Sequence, residues 1–343
     1  MTKFRFLTAG ESHGMGLTVI LEGIPSNLSL SEEYIRIDMS RRQKGYGSGG
    51  RMKIEKDSAN IKSGVRHGKT LGSPISLWIE NKDWENWTTA MAIEPVNEKD
   101  DIKRQTKIVP GHADFPGTLK YNHKDVRNVL ERASARETAA RVAVGSICKK
   151  FLSEIGIDIK SRVISIGWEK TSVANVDQIN WEHVENSIVR STNTREEQLF
   201  TNVIDQAKKE RTTIGGVFQV IGFGIPLGLG DYIQWDNKLD GKIAQSMMSI
   251  NAVKGVEIGN GFNNTEKYGN LVQDVIEPNS QDERKFSQKT NHAGGTLGGI
   301  STGQDIVVKM ALKPTSSILI PGETITTKNK KTTIATRENK NPV

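Results

Sequence analysis

From Val144 the apolar residues fall at i, i+3, i+4, i+7, i+8 and i+11 (Val144, Ile147, Cys148, Phe151, Leu152, Ile155), and Gly156 follows. That spacing predicts one apolar stripe along a helix with a glycine at its end. Just upstream, Glu131-Arg-Ala-Ser-Ala-Arg-Glu-Thr continues the segment with small residues, and Arg132 and Arg136, four apart, are expected to share a face. Leu239, Ile243, Met247 and Ile250 predict another long helix, with Asp236 as its cap. Ser29 and Glu32 have capping-box spacing before a short helix through Ile35 and Met39, which ends in Arg41, Arg42 and Lys44. Alternating or continuous apolar runs predict strands at 4–8, 17–21, 52–56, 61–65, 74–79, 158–168, 214–223 and 306–312. Strands and long helices in irregular order favour an α+β fold over a doubly wound parallel sheet. The polar stretch 81–106, with Trp84 and Trp87, reads as a surface excursion or a subunit contact.

Length and composition narrow the class. The 343 residues, 35% hydrophobic and 25% charged, can bury a large core and describe an ordinary soluble chain. No apolar run approaches a membrane span and no charged-then-apolar leader precedes the first strand, so no membrane partner is expected. A single cysteine, Cys148, excludes a disulfide framework and fits the cytoplasm. The net charge of +7 suits nucleic acid or an anionic metabolite equally. Aromatics at only 6%, not interleaved with the basic residues, offer no stacking platform for bases.

Candidate chemistry sits in glycine-bounded turns. His13 lies in Gly-Glu-Ser-His-Gly (10–14) and His112 in Gly-His-Ala-Asp (111–114), where loop imidazoles can move protons near neutral pH. The alternative for each is a hydrogen bond to its own turn. Gly10, Ser12 and Gly14 match the hydrolase elbow by letter, but its ordered acid and histidine partners have no place downstream, so Ser12 is not read as a nucleophile. The stretch 41–51 is either a phosphate cradle using Arg42 and Arg51 or a solvated basic helix end. Zinc spacings are absent, and no metal is expected.

Several ordered motifs carry a resemblance over nearly the whole chain. They are 10–14, Arg41-Arg-Gln-Lys-Gly-Tyr-Gly with Arg51-Met-Lys-Ile-Glu, Ser63-Gly-Val-Arg-His-Gly-Lys-Thr, 111–114, 131–138, Gln234-Trp-Asp-Asn-Lys-Leu-Asp and Ser249-Ile-Asn-Ala-Val-Lys-Gly. Together they resemble the chorismate synthase family. The resemblance implies one domain over 1–343, helices sandwiched between antiparallel sheets, and a homotetramer. It implies reduced FMN as cofactor, with NADPH a possible reductant, and 5-enolpyruvylshikimate 3-phosphate as substrate. The implied reaction is a 1,4-anti elimination of phosphate that yields chorismate on the route to aromatic amino acids.

By position, His112 would protonate the leaving phosphate and His13 the flavin. Arg42, Arg51 and Arg136 would hold substrate anions, with Ser12 and Ser134 as donors. Met52, Ser134, Asn251, Ala252, Lys313 and Ser317 would line the flavin. Three departures predict reduced turnover. Ser48 and Val109 replace family arginines, and the family's C-terminal Arg-x-Asp-Pro signature and closing helix are not found in the 343 residues. The alternatives are a diverged flavin-binding homologue with another substrate or no turnover, and a basic RNA-binding or scaffolding protein.

Overall fold

The computed structural model describes residues 4–47, 57–97, 103–282 and 284–334. Ser48, Arg51, Met52, the predicted strand at 52–56 and the end of the chain lie outside the described residues. The chain divides into two compact units, one formed by 1–151, 204–214 and 314–343, the other by 152–203 and 215–313.

The first unit is built on an antiparallel sheet in the order Arg5–Ala9, Gly16–Glu22, Ile75–Glu80, Asn60–Ser63. Period-two alternation decides its faces: Leu17, Val19 and Leu21 point to one side, where they pair in register with Ile79, Leu77 and Ile75. All six are essentially inaccessible. The helix Thr138–Glu154 covers this face with Ala139, Ala140, Ala143, Val144 and Ile147, and Ile35 and Met39 of the helix Glu32–Arg42 join the same core. Alanines on the covering helix let its backbone approach the sheet closely. Truncating a fully buried side chain such as Leu77 to alanine costs about 2–5 kcal/mol. Burial pushes the Cys148 thiol, on the same helix, up to about 11. Cys148 is therefore expected to resist thiol reagents at pH 8 in the native protein and to react fully in urea, which a time course of modification will show.

The second unit holds a five-stranded antiparallel sheet ordered Val253–Ile258, Ile306–Leu312, Gly216–Phe223, Asp158–Ile166, Glu169–Lys170. Leu239, Ile243 and Met247 of the helix Leu239–Met248 pack on Ile157, Ile225, Ile306 and Val308. Glu196 is buried in this unit. Burial raises that carboxyl, but hydrogen bonds from Thr192, Ser172 and Thr171 outweigh it and hold the group at about 2. Because the folded value lies below the ordinary 4.5, this stabilisation is complete above pH 4.5 and is lost as pH falls toward 2. Glu196→Gln should therefore destabilise at pH 7 and converge with the parent in acid, as urea melts across that range will report.

Predominantly antiparallel pairing with packed helices makes the fold α+β. Two local expectations change. Helix Glu32–Arg42 is capped by Ser31, whose Oγ accepts from the Tyr34 N–H, rather than by the Ser29/Glu32 pair. Asp236 lies within a separate turn, Trp235–Asn237, and helix Leu239–Met248 starts after Lys238 without a side-chain cap.

Candidate active site

The first strand ends at Ala9, and Gly10 turns the chain at φ +104°. A Cβ there would lie 2.2 Å from the Gly16 carbonyl oxygen, so only glycine fits. The turn this opens presents Ser12 and His13. Asn81, buried at the end of the neighbouring strand, clamps it: Nδ2 donates to the carbonyls of Glu11 (3.1 Å) and Gly14 (2.7 Å). The other clamp is Glu131, 3% exposed. Its main-chain carbonyl accepts from the Ser12 N–H at 3.1 Å. Its carboxylate accepts from the His13 N–H at 2.8 Å and faces His13 Nδ1 at 2.9 and 3.0 Å.

Burial alone would raise the Glu131 carboxyl. The His13 hydrogen bonds and charge, with Arg127 in support, outweigh that and hold it below the ordinary carboxylate value. Arg127 Nη1 donates to Oε1 at 2.9 Å. An ionised carboxylate can only accept, so Nδ1 of His13 carries a proton.

The helix Arg127–Ala133 breaks at Ser134, whose backbone is extended (φ −61°, ψ 147°). Its hydroxyl donates to Ser12 Oγ at 3.2 Å and caps the following turn by accepting from the Arg136 N–H. The break overturns the expected shared face of Arg132 and Arg136. Arg132 turns back to the Thr8 and Gly10 carbonyls at 2.8 and 3.1 Å. Arg136 is buried and donates to Asn81 Oδ1 (2.9 Å) and Asp57 Oδ1 (2.6 Å). Arg42 Nη1 reaches the other Asp57 oxygen at 3.0 Å. Two guanidinium groups thus share one fully buried carboxylate.

His112 occupies a different turn. Asp114, with no exposed side-chain surface, organises it by accepting from the N–H groups of Val109 (2.6 Å) and Phe115 (3.1 Å). His112 Nδ1 lies 3.5 Å from Asp114 Oδ1, too far for a hydrogen bond, and is buried. Ser316 Oγ donates to the Gly111 carbonyl at 2.7 Å, tying this turn to the segment that carries Ser317. Val109, where an arginine was expected, is a buried apolar side chain beneath the turn.

Asn251, Ala252 and Lys313 form a group in the second unit. Ala252 adopts a positive φ of 68° between helix and strand, and the Lys313 N–H donates to its carbonyl at 3.0 Å.

Ser12, His13, Ser134, Arg136 and Arg42 are thus joined through Glu131, Asn81 and Asp57. Sequence reasoning missed these three connecting residues. Glu131 and Asp57 stood inside or beside quoted motifs, whereas Asn81 had no signal of its own. Among the described residues no cluster of three or more His, Cys, Asp or Glu could hold a metal ion, and no helix is long and apolar enough to cross a membrane.

In an α+β protein, a turn imidazole against an ionised carboxylate, joined through Asn81 and Asp57 to two guanidinium groups, can move a proton on a small anionic molecule. Comparison with known proteins narrows this to one family. The chorismate synthase family profile matches residues 4–343. The chain is 53% identical to the chorismate synthase of Aquifex aeolicus (strain VF5), over 92% of this chain and 81% of that protein. It is 48% identical to that of Enterococcus faecalis, over 94% and 83%. A crystal structure of chorismate synthase, 47% identical, aligns with a TM-score of 0.77 over 90% of this chain and 84% of that one.

The chain belongs to the chorismate synthase family. It is a lyase that converts 5-enolpyruvylshikimate 3-phosphate to chorismate and phosphate, and the family works with reduced flavin. The reduced turnover expected from the departures, the alternative substrate and the RNA-binding alternative gain no support from these comparisons.

Proposed function

We propose that this chain carries out the elimination with bound reduced FMN, as a cytoplasmic homotetramer, and that His13 and His112 move its protons. The observation that supports the proposal is the buried, ionised Glu131 against His13 Nδ1, which holds a proton on that edge of the ring and leaves Nε2 as the nitrogen through which the transferred proton would pass. His112, held by a turn that Asp114 builds, protonates the departing phosphate. Arg42 and Arg136, with Arg51, hold the substrate's carboxylates and phosphate, and Ser12 and Ser134 donate hydrogen bonds.

The Asn251 amide and the Lys313 ammonium are donors of the kind a phosphate-bearing flavin needs. The Ala252 turn offers a small side chain next to Asn251, and the Lys313 main-chain N–H donates to the Ala252 carbonyl of the same turn. Ser317, Ser134 and Met52 complete the residues assigned to it. When bound, reduced FMN would supply transient electron-transfer chemistry for the C–O cleavage with no net change in its redox state.

The test is an anaerobic assay with the phosphoester substrate, with and without reduced FMN. Chorismate is expected only when reduced flavin is present, and equal turnover in its absence would overturn the cofactor assignment. Chorismate formed from oxidised FMN and NADPH, with no other reductant, would assign reduction to the protein itself. Sedimentation at micromolar concentration is expected to give four chains per particle.

A further inference from the structure

The segment after Asn81 folds onto His13, although its tryptophans suggested only a surface excursion or a subunit contact. Trp87 stacks its indole on the imidazole, with ring centroids 3.8 Å apart and planes inclined by 24°. Asp83 sets the orientation of the indole, its Oδ2 accepting from Trp87 Nε1 at 2.9 Å. Lys103 Nζ lies 3.6 Å from the centroid of the same ring and donates to the Asn86 carbonyl at 2.6 Å. A stacked ring and an ammonium at such distances cannot share one face of an indole, so Lys103 backs the face turned away from His13. Arg127 completes the assembly. Its Cζ is 5.0 Å from the Trp87 centroid, its Nε donates to the Lys103 carbonyl at 2.7 Å, and its Nη1 binds Glu131.

We propose that Trp87, backed by Lys103, is a positioning residue for His13, fixing the plane of the imidazole while Glu131 fixes its Nδ1 edge. Two independent constraints leave the ring one orientation, and Nε2 points along a single line. The inference rests on His13 being a proton carrier.

Anaerobic turnover of Trp87→Phe, Trp87→Ala and His13→Gln with reduced FMN and the phosphoester tests the proposal, with thermal melts to confirm folding. Trp87→Phe keeps a stacking face and is expected within about 3-fold of the parent. Trp87→Ala should lose about 10- to 100-fold in kcat with little change in KM. Wild-type kcat in Trp87→Ala, or a loss confined to KM, would overturn the positioning role. His13→Gln separates the two claims. If it is inactive while Trp87→Ala is unimpaired, only the positioning role fails. If it turns over at the parent rate, the proton-carrier assignment fails and takes the inference with it.

Discussion

Replacing Glu131 with glutamine is expected to lower kcat at least about 10²-fold with the fold retained. The carboxylate meets three donors: the His13 main-chain N–H, His13 Nδ1–H and Arg127. An amide has one acceptor oxygen and two N–H groups. At least one donor of the set would then face another donor, and the ring would be driven to the opposite tautomer or out of position. Anaerobic turnover of the variant, normalised to folded protein, reads this directly. A loss below about 3-fold would show that the pair holds the turn without directing the proton.

The same substitution carries a pH signature. The Glu131 carboxyl lies below its ordinary value of 4.5 in the folded state. Its contribution to stability is therefore complete above pH 4.5 and shrinks as pH falls through the lowered value. The stability gap between parent and Glu131→Gln should close in that acid window, and urea titrations at pH 7 and in steps below 4.5 will show whether it does.

Arg136→Met is expected to cost about 3–5 kcal/mol of stability and to weaken binding of the phosphoester. Arg136 is 7% exposed, and its removal leaves the inaccessible Asp57 carboxylate with Arg42 alone. Asn81 Oδ1 also loses its donor, and Asn81 is the residue that clamps the Glu11–Gly14 turn. Damage should therefore pass from the cationic cluster to His13. Most of that stability loss is an uncompensated buried charge, so adding Asp57→Asn should recover part of it without restoring substrate affinity. A double-mutant cycle in urea, paired with KM measurements, separates the two contributions. A destabilisation under about 1 kcal/mol would mean that the buried carboxylate finds other compensation.

Where expectation and structure diverge, the reason can be traced to particular residues. The alanine-rich 131–138 segment has helical spacing, yet Ser134 is extended. Its hydroxyl caps Arg136 and meets Ser12, and that local bonding displaces the helix. Asp236 is a good capping residue by type, but the turn Trp235–Asn237 ends before the helix begins. The strand at 306–312 and the helix through Val144 emerged as expected, because a one-sided core imposes a period that local spacing records.

The order of residues by itself determined the α+β class, the family and therefore the reaction, together with the two imidazole turns. Each of these is written in short-range spacing or in motifs many residues long. Tertiary structure alone decided who holds whom. Glu131 meets His13 from 118 positions away, and Arg136 meets Asp57 from 79 positions away. Trp87 reaches the same imidazole from a polar stretch with no periodicity. Such pairings depend on which sheet edge the broken helix packs against, and burial then makes each buried charge require its partner.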